Sequence, residues 1–129
     1  MLKDKKCQNR LDEIRFDVYN RVYTMNEELF STIEGYDWDK HNTEKILHKH
    51  GVLPMECEEA LLGDVIVVPD EKHSSIEQRY NALSATFAGK MLFIVFTIRN
   101  KKIRIISARP MNKKEREVYN EKIKDAPEI

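Results

Sequence analysis

Apolar residues recur at steps of three and four at Leu11, Ile14, Val18, Val22, Met25, Leu29 and Ile33. That is the spacing of one helix face and predicts an amphipathic helix over residues 9–34. The alternation Ile14, Phe16, Val18 also fits a strand, and the longer pattern favours the helix. Beyond Tyr36 the punctuation sharpens. Asn42 or Thr43 can cap a helix that runs through His50 and stops at Gly51, and Pro54 opens a second helix that Gly63 closes. Residues 64–69 read as a strand ended by Pro69, and residues 70–76 as a polar loop. Residues 79–87, 91–98 and 102–108 are strand-like and are separated by Ala88-Gly89-Lys90 and Arg99-Asn100-Lys101, both of hairpin length. Asn112 can cap a last helix over residues 113–124, which keeps Val118, Tyr119 and Ile123 for packing. N-terminal helices, an antiparallel β-sheet meander and a C-terminal helix make an α+β chain, not a βαβ one.

With 129 residues, 41% hydrophobic and 9% aromatic, the chain can build one core without disulfides. Cys7 and Cys57 fit neither a metal knuckle nor a secreted framework, which favours a reducing, cytoplasmic setting. The longest apolar run, residues 91–96, falls far short of the roughly 20 residues a membrane span needs. No signal-type apolar stretch follows the first residues, so neither a membrane protein nor an exported one is expected. A formal net charge of zero conceals a polarised chain: residues 35–78 hold 4 basic and 10 acidic groups, and residues 79–129 hold 12 and 5. The basic excess gathers at Arg99, Lys101, Lys102, Arg104, Arg109, Lys113, Lys114 and Arg116, a distribution that attracts phosphate backbones. Arg104 and Arg109 bracket Ile105-Ile106-Ser107-Ala108 in a strand-like segment, where a long charged side chain must emerge on a working face or pair with an acid.

No Gly-rich phosphate loop exists, since the four glycines are not grouped. His48 and His50 fall on different sides of their helix, so neither a metal nor another cofactor is expected. The chemistry must then come from His73, Glu77, Arg79, Tyr80, Arg104, Ser107 and Arg109, which combine proton-moving groups with fixed positive charges. RNA is cleaved by such a set when a base takes the 2′-hydroxyl proton, arginines stabilise the pentavalent phosphate and an acid protonates the leaving 5′-oxygen. The bland alternative leaves His73 a surface histidine, Glu77 a partner for Arg79 or Arg104, and Tyr80 in the core.

Trp38-Asp39-Lys40-His41-Asn42, Lys45-Ile46, His50-Gly51-Val52, Glu58-Glu59-Ala60, Pro69-Asp70, His73-Ser74, Glu77-Gln78-Arg79-Tyr80-Asn81-Ala82-Leu83, Ile103-Arg104-Ile105-Ile106-Ser107-Ala108-Arg109, Lys114-Glu115-Arg116 and Tyr119 follow one another in an order that resembles the BrnT family of toxins. The resemblance runs from about Tyr36 to Tyr119. It implies a RelE-like fold and a ribosome-independent endoribonuclease that arrests growth. It also implies a BrnA-like ribbon-helix-helix antitoxin, with a heterotetramer as one form of a complex that represses its own promoter. Carried over by position, His50, His73, Glu77, Arg79, Arg104, Arg109 and Arg116 match recurring polar positions. Two departures stand out: many relatives have Gly-Arg where this chain has Ser84-Ala85, and a glycine where it has Ile76.

The expectation is therefore a BrnT/RelE-like domain over residues 36–124, an N-terminal amphipathic extension over residues 1–35 and a disordered tail over residues 125–129. His73, Glu77, Arg79, Arg104 and Arg109 are the expected catalytic residues of a metal-independent ribonuclease. His50, Lys101, Lys102, Lys113, Lys114 and Arg116 are the expected nucleic-acid contacts. The extension is expected to pack on the core as a helix, with homodimerisation through residues 9–34 or occupation of a partner surface as alternatives. The rival function is a catalytically silent binding module for a partner protein or nucleic acid.

Overall fold

The computed structural model describes residues 22–23, 29–73 and 75–125. In chain order these form β1 (Val22–Tyr23), β2 (Gly35–Tyr36), α1 (Lys40–His50), α2 (Pro54–Ala60), β3 (Val65–Pro69), a 3-10 turn (Glu71–His73), β4 (Arg79–Ala85), β5 (Met91–Arg99), β6 (Lys102–Pro110) and α3 (Lys113–Asp125). The six strands make one sheet in the order β1-β3-β4-β5-β6-β2. All pairings are antiparallel except that of β2, which runs parallel to β6 through Gly35 opposite Lys102 and Tyr36 opposite Ile103. Among the described residues no helix is long and apolar enough to cross a membrane.

The α+β class and the β4–β5–β6 meander are as the periodicity predicts, whereas the order is not: β1 and β2 precede the helices, and β2 makes the sheet mixed by joining it in parallel. The N-terminal expectation needs correction: Val22 and Tyr23 pair with Ile66 and Val65 as an edge strand, and residues 29–32 form a turn, so no single helix spans residues 9–34. Residues 1–21 and 24–28, and with them most of the predicted helix and its dimerisation, lie outside the described residues, as do residues 126–129 of the expected tail. Asp125 belongs to α3 instead of that tail. Phe30 nevertheless reaches the core from its turn, 2% exposed and 6.0 Å from the Phe96 ring centroid.

The caps are local physics with one exception. Asp39, not Asn42 or Thr43, caps α1, its carboxylate accepting from the His41 N–H at 2.9 Å. Gly51 ends that helix at φ +69° with its N–H on the Leu47 carbonyl, a left-handed conformation that costs a glycine little. α2 stops at Ala60, before Gly63. Asn112 and Glu115 form the reciprocal capping box at the head of α3, at 2.8 and 2.9 Å.

Alternation divides each strand between two faces. Val65, Val67, Ala82, Leu92, Ile94, Phe96, Ile103, Ile105 and Ala108 join Ile46, Val52, Cys57, Ala60, Leu61 and Phe30 in the main core, beneath α1 and α2. Each fully buried aliphatic or aromatic side chain there contributes about 1.5–3 kcal/mol. On the opposite face Ile66, Val68, Leu83 and Phe93 pack against Met111, Val118, Tyr119 and Ile123, so α3 seals only part of that side. The remainder of the face is polar.

Candidate active site

Regular alternation would send Arg104 and Arg109, five positions apart, to opposite faces of β6. A bulge prevents this. Val95 stands opposite Ser107 while Phe96 stands opposite Ile105, which leaves Ile106 as the extra residue. Parity is thereby reset, and Arg104, Ser107 and Arg109 share the face that α3 partly covers. Asn42 fixes the irregularity from α1, its amide donating to the Ile105 and Ile106 carbonyls at 2.8 and 3.2 Å. The Trp38-to-Asn42 motif is in this sense a structural junction: Trp38 stacks on Tyr36 and donates to Glu58 at 2.7 Å, Asp39 caps α1, and Asn42 straps it to β6.

The polar half of the face is assembled from three strands. Arg79 and Asn81 on β4 stand opposite Thr97 and Val95 on β5, and Thr97 stands opposite Arg104 on β6. Arg99, two residues beyond Thr97, closes the group. Glu77 lies at its centre and accepts from Arg99 Nε and Nη2 at 2.9 and 2.7 Å. These bonds hold the Glu77 carboxyl below the usual carboxylate range, and the charges of Arg99, Arg79 and Arg104 act in the same direction against slight desolvation. Arg104 also faces Asp37 at 3.5 Å and Asp39 at 3.3 Å. The cluster thus sets three guanidinium groups among three carboxylates. It can receive a phosphate when an acid yields a guanidinium, and solvent-screened ion pairs of this kind are weak enough to be exchanged.

His73 sits at the margin. Its Nδ1 is 3.0 Å from Asp70 Oδ2, and Asp70 is tied to the start of β4 by its N–H on the Arg79 carbonyl at 2.8 Å. A carboxylate can only accept, so this contact places the proton on Nδ1 and leaves Nε2 as the basic nitrogen of the neutral ring.

The other predicted residues are spread more widely. Arg109 is clamped to Glu115 by bonds of 2.9 and 2.8 Å and lies 4.3 Å over the Phe93 ring, and Arg116 donates to the Met111 carbonyl. Both fasten the start of α3, where Lys113 and Lys114 also stand. Lys101 and Lys102 are at the other end of β6, about 24 Å away along the sheet once the bulge is counted. His50 belongs to the end of α1. Tyr80 stacks on Phe96 at 5.3 Å in the core. Ala85 packs in the α3 cluster, six residues or about 20 Å along β4 from Arg79, so the arginine absent there is absent from the far end of the strand. Ile76 is 97% exposed in its loop.

Sequence reading missed Arg99 as a site residue, and Asp70 and Asn42 with it. Arg99 was within reach: alternation from Phe93 through Val95 and Thr97 brings it to the polar face, and the two-residue turn at Asn100 and Lys101 sets it opposite Lys102. Asn42 had no such signal, because its partners lie 63 and 64 residues away.

No curated protein matches the chain. Among solved structures, the 1.1 Å crystal structure of the Brucella abortus ribonuclease toxin BrnT is similar at 18% identity and a TM-score of 0.48, over 61% of this chain and 97% of that one. Residues 38–115, which run from the Trp38 junction through the arginine cluster to the Glu115 cap, match the family model of the ribonuclease toxin BrnT of type II toxin–antitoxin systems, and the chain belongs to that family.

Proposed function

We propose that this protein is a metal-independent endoribonuclease that arrests growth in the cytoplasm, on a RelE-like scaffold, and that a BrnA-like antitoxin neutralises it. The observation that carries this reading is the convergence of Arg79, Arg99 and Arg104 on one sheet face, with the Asp70–His73 pair at its edge. Arg79 and Arg104 hold the scissile phosphate, and Arg99 joins them when Glu77 gives way. His73 Nε2 takes the 2′-hydroxyl proton, the 2′-oxygen bonds to phosphorus, and the P–O5′ bond breaks. The imidazolium then returns the proton to the 5′-oxygen, so the products are a 2′,3′-cyclic phosphate and a 5′-hydroxyl. Glu77, with lowered basicity and both oxygens bonded, positions Arg99 and is the weaker base. The bidentate Glu115 pair accounts for Arg109 as a clamp on α3. Lys101 and Lys102 lie on the cluster side of β6 and steer RNA toward it. Membership of a toxin–antitoxin family implies an antitoxin protein partner.

The test is cleavage of total RNA by the purified chain in excess EDTA, beside Arg79→Ala/Arg104→Ala and His73→Ala. Cleavage by the wild type should fall at least a hundredfold in both variants. Equal cleavage by all three proteins would remove the assignment, and wild-type activity only without EDTA would remove metal independence. A catalytically silent binding module is the second reading. The specific observation in its favour is the Glu77–Arg99 pair, which occupies the cluster with the protein's own carboxylate. Intact RNA from folded wild type would support it.

A further inference from the structure

A groove of about 240 Å³ lies between α1 and the outer edge of β6. Lys45, Lys49 and His50 line its helical wall, with Asn42 at the junction, and Ile106 and Ser107 line its strand wall. No carboxylate is among its described lining residues. The wall exists because β2 pairs only with Lys102 and Ile103, so that among the described residues no strand flanks the later part of β6 on that side. An exposed edge of this kind ordinarily invites an extended peptide. Here Asn42 already occupies the Ile105 and Ile106 carbonyls, which removes two of the acceptors such a peptide would pair with. What the groove offers is two ammonium groups one helical turn apart, an imidazole and a hydroxyl. That inventory suits phosphodiesters.

The groove also neighbours the arginine cluster along β6. Ser107 lines it and stands on the same face of β6 as Arg104; their partners Val95 and Thr97 are two residues apart on β5, so across the bulge the two lie about 7 Å apart along the sheet. That distance is about two stacked bases.

We infer that the groove binds backbone phosphates of a single-stranded RNA about two nucleotides from the phosphate at the arginine cluster. The polymer's identity rests on the ribonuclease reading above. Lys45 and Lys49 each meet one phosphate, and His50 and Ser107 hydrogen-bond to its oxygens.

The experiment titrates a six-nucleotide 2′-O-methyl RNA, which lacks the attacking hydroxyl, into the full chain and into Lys45→Gln/Lys49→Gln at several salt concentrations. Both lysines are exposed, and an unchanged unfolding midpoint confirms the fold of the variant. Removing two phosphate contacts should lower the slope of log affinity against log salt by about 1.4, at about 0.7 per phosphate on a single strand. Affinity at low salt should fall at least tenfold. An unchanged slope and affinity would overturn the inference. So would a polyglutamate peptide that competes through these lysines as strongly as RNA of equal charge, since the groove would then belong to an acidic peptide. Lysine-dependent binding by a wild type that cuts no unmodified RNA would sink the ribonuclease reading and leave the groove standing. Cutting by a wild type whose binding ignores the lysines would do the reverse.

Discussion

Replacing Arg109 by alanine separates a structural arginine from a phosphate-binding one. Its guanidinium makes two bonds to Glu115, 2.9 and 2.8 Å long, and lies 4.3 Å over Phe93. The Glu115 side chain is 8% exposed and that of Arg109 34%, so removal of the arginine leaves a buried carboxylate with less compensation. A charge-assisted hydrogen-bonded pair contributes about 1.5–3 kcal/mol, and the contact with the ring adds about 0.5–1. Discounting for the solvent-screened side of the guanidinium gives about 2 kcal/mol. In a domain of this size that lowers Tm by about 8 °C. Urea unfolding of Arg109→Ala, Glu115→Gln and the double variant should give a coupling of about 1–2 kcal/mol. Arg79→Ala/Arg104→Ala should stay within about 1 kcal/mol of the wild type, since the Arg104 pairs with Asp37 and Asp39 have carboxylates open to solvent. The reasoning is refuted if Arg109→Ala unfolds at the wild-type midpoint yet loses RNA cleavage a hundredfold.

Alkali should destabilise the fold in two stages. Burial pushes the Cys57 thiol and the Tyr119 hydroxyl each up to about 12, so their stabilisation is complete below the unfolded values and is lost as pH rises toward 12. The slope is about 1.4 kcal/mol per pH unit per group, and Cys57→Ala should move the onset, followed by urea midpoints, from about pH 9 to about pH 10. The same burial predicts that Cys57 reacts with a disulfide reagent at pH 8 only as fast as the protein unfolds. Lys101→Gly should stabilise by about 0.5 kcal/mol in urea, because Asn100 and Lys101 take φ +51° and +65°, a turn that favours Asn-Gly. The lost 3.8 Å contact with Glu34 is exposed at both ends and contributes little. Asn42→Ala should cost about 1–2 kcal/mol by stranding the Ile105 and Ile106 carbonyls, and intact stability would show that the bulge holds itself.

Most of the frame is written in near neighbours. The β4–β5–β6 meander, the Gly51 stop, the Asn112 cap and the packing triplet Val118, Tyr119, Ile123 each depend on residues within about one turn or one hairpin, so spacing alone revealed them. The α+β class and the family resemblance followed from the same local signals. Where two local solutions compete, spacing cannot choose: Asp39 and Asn42 are both good caps, and the bulge carbonyls recruit Asn42 from the other side of the chain. The N-terminal segment failed for the same reason, since a three-and-four apolar pattern does not say that Val22 and Tyr23 will find β3. Residue types at the site were legible, and their grouping was not. One extra residue at Ile106 decides which face Arg104 and Arg109 share, the start of α3 then takes Arg109 for Glu115, and β5 supplies Arg99 to Glu77. The sequence by itself determined the elements from α1 onward and the chemistry available to them, because periodicity and caps are short-range. Only the tertiary structure decided which charges meet, because strand register, a bulge and the seat of a helix are set by contacts between residues far apart in the chain.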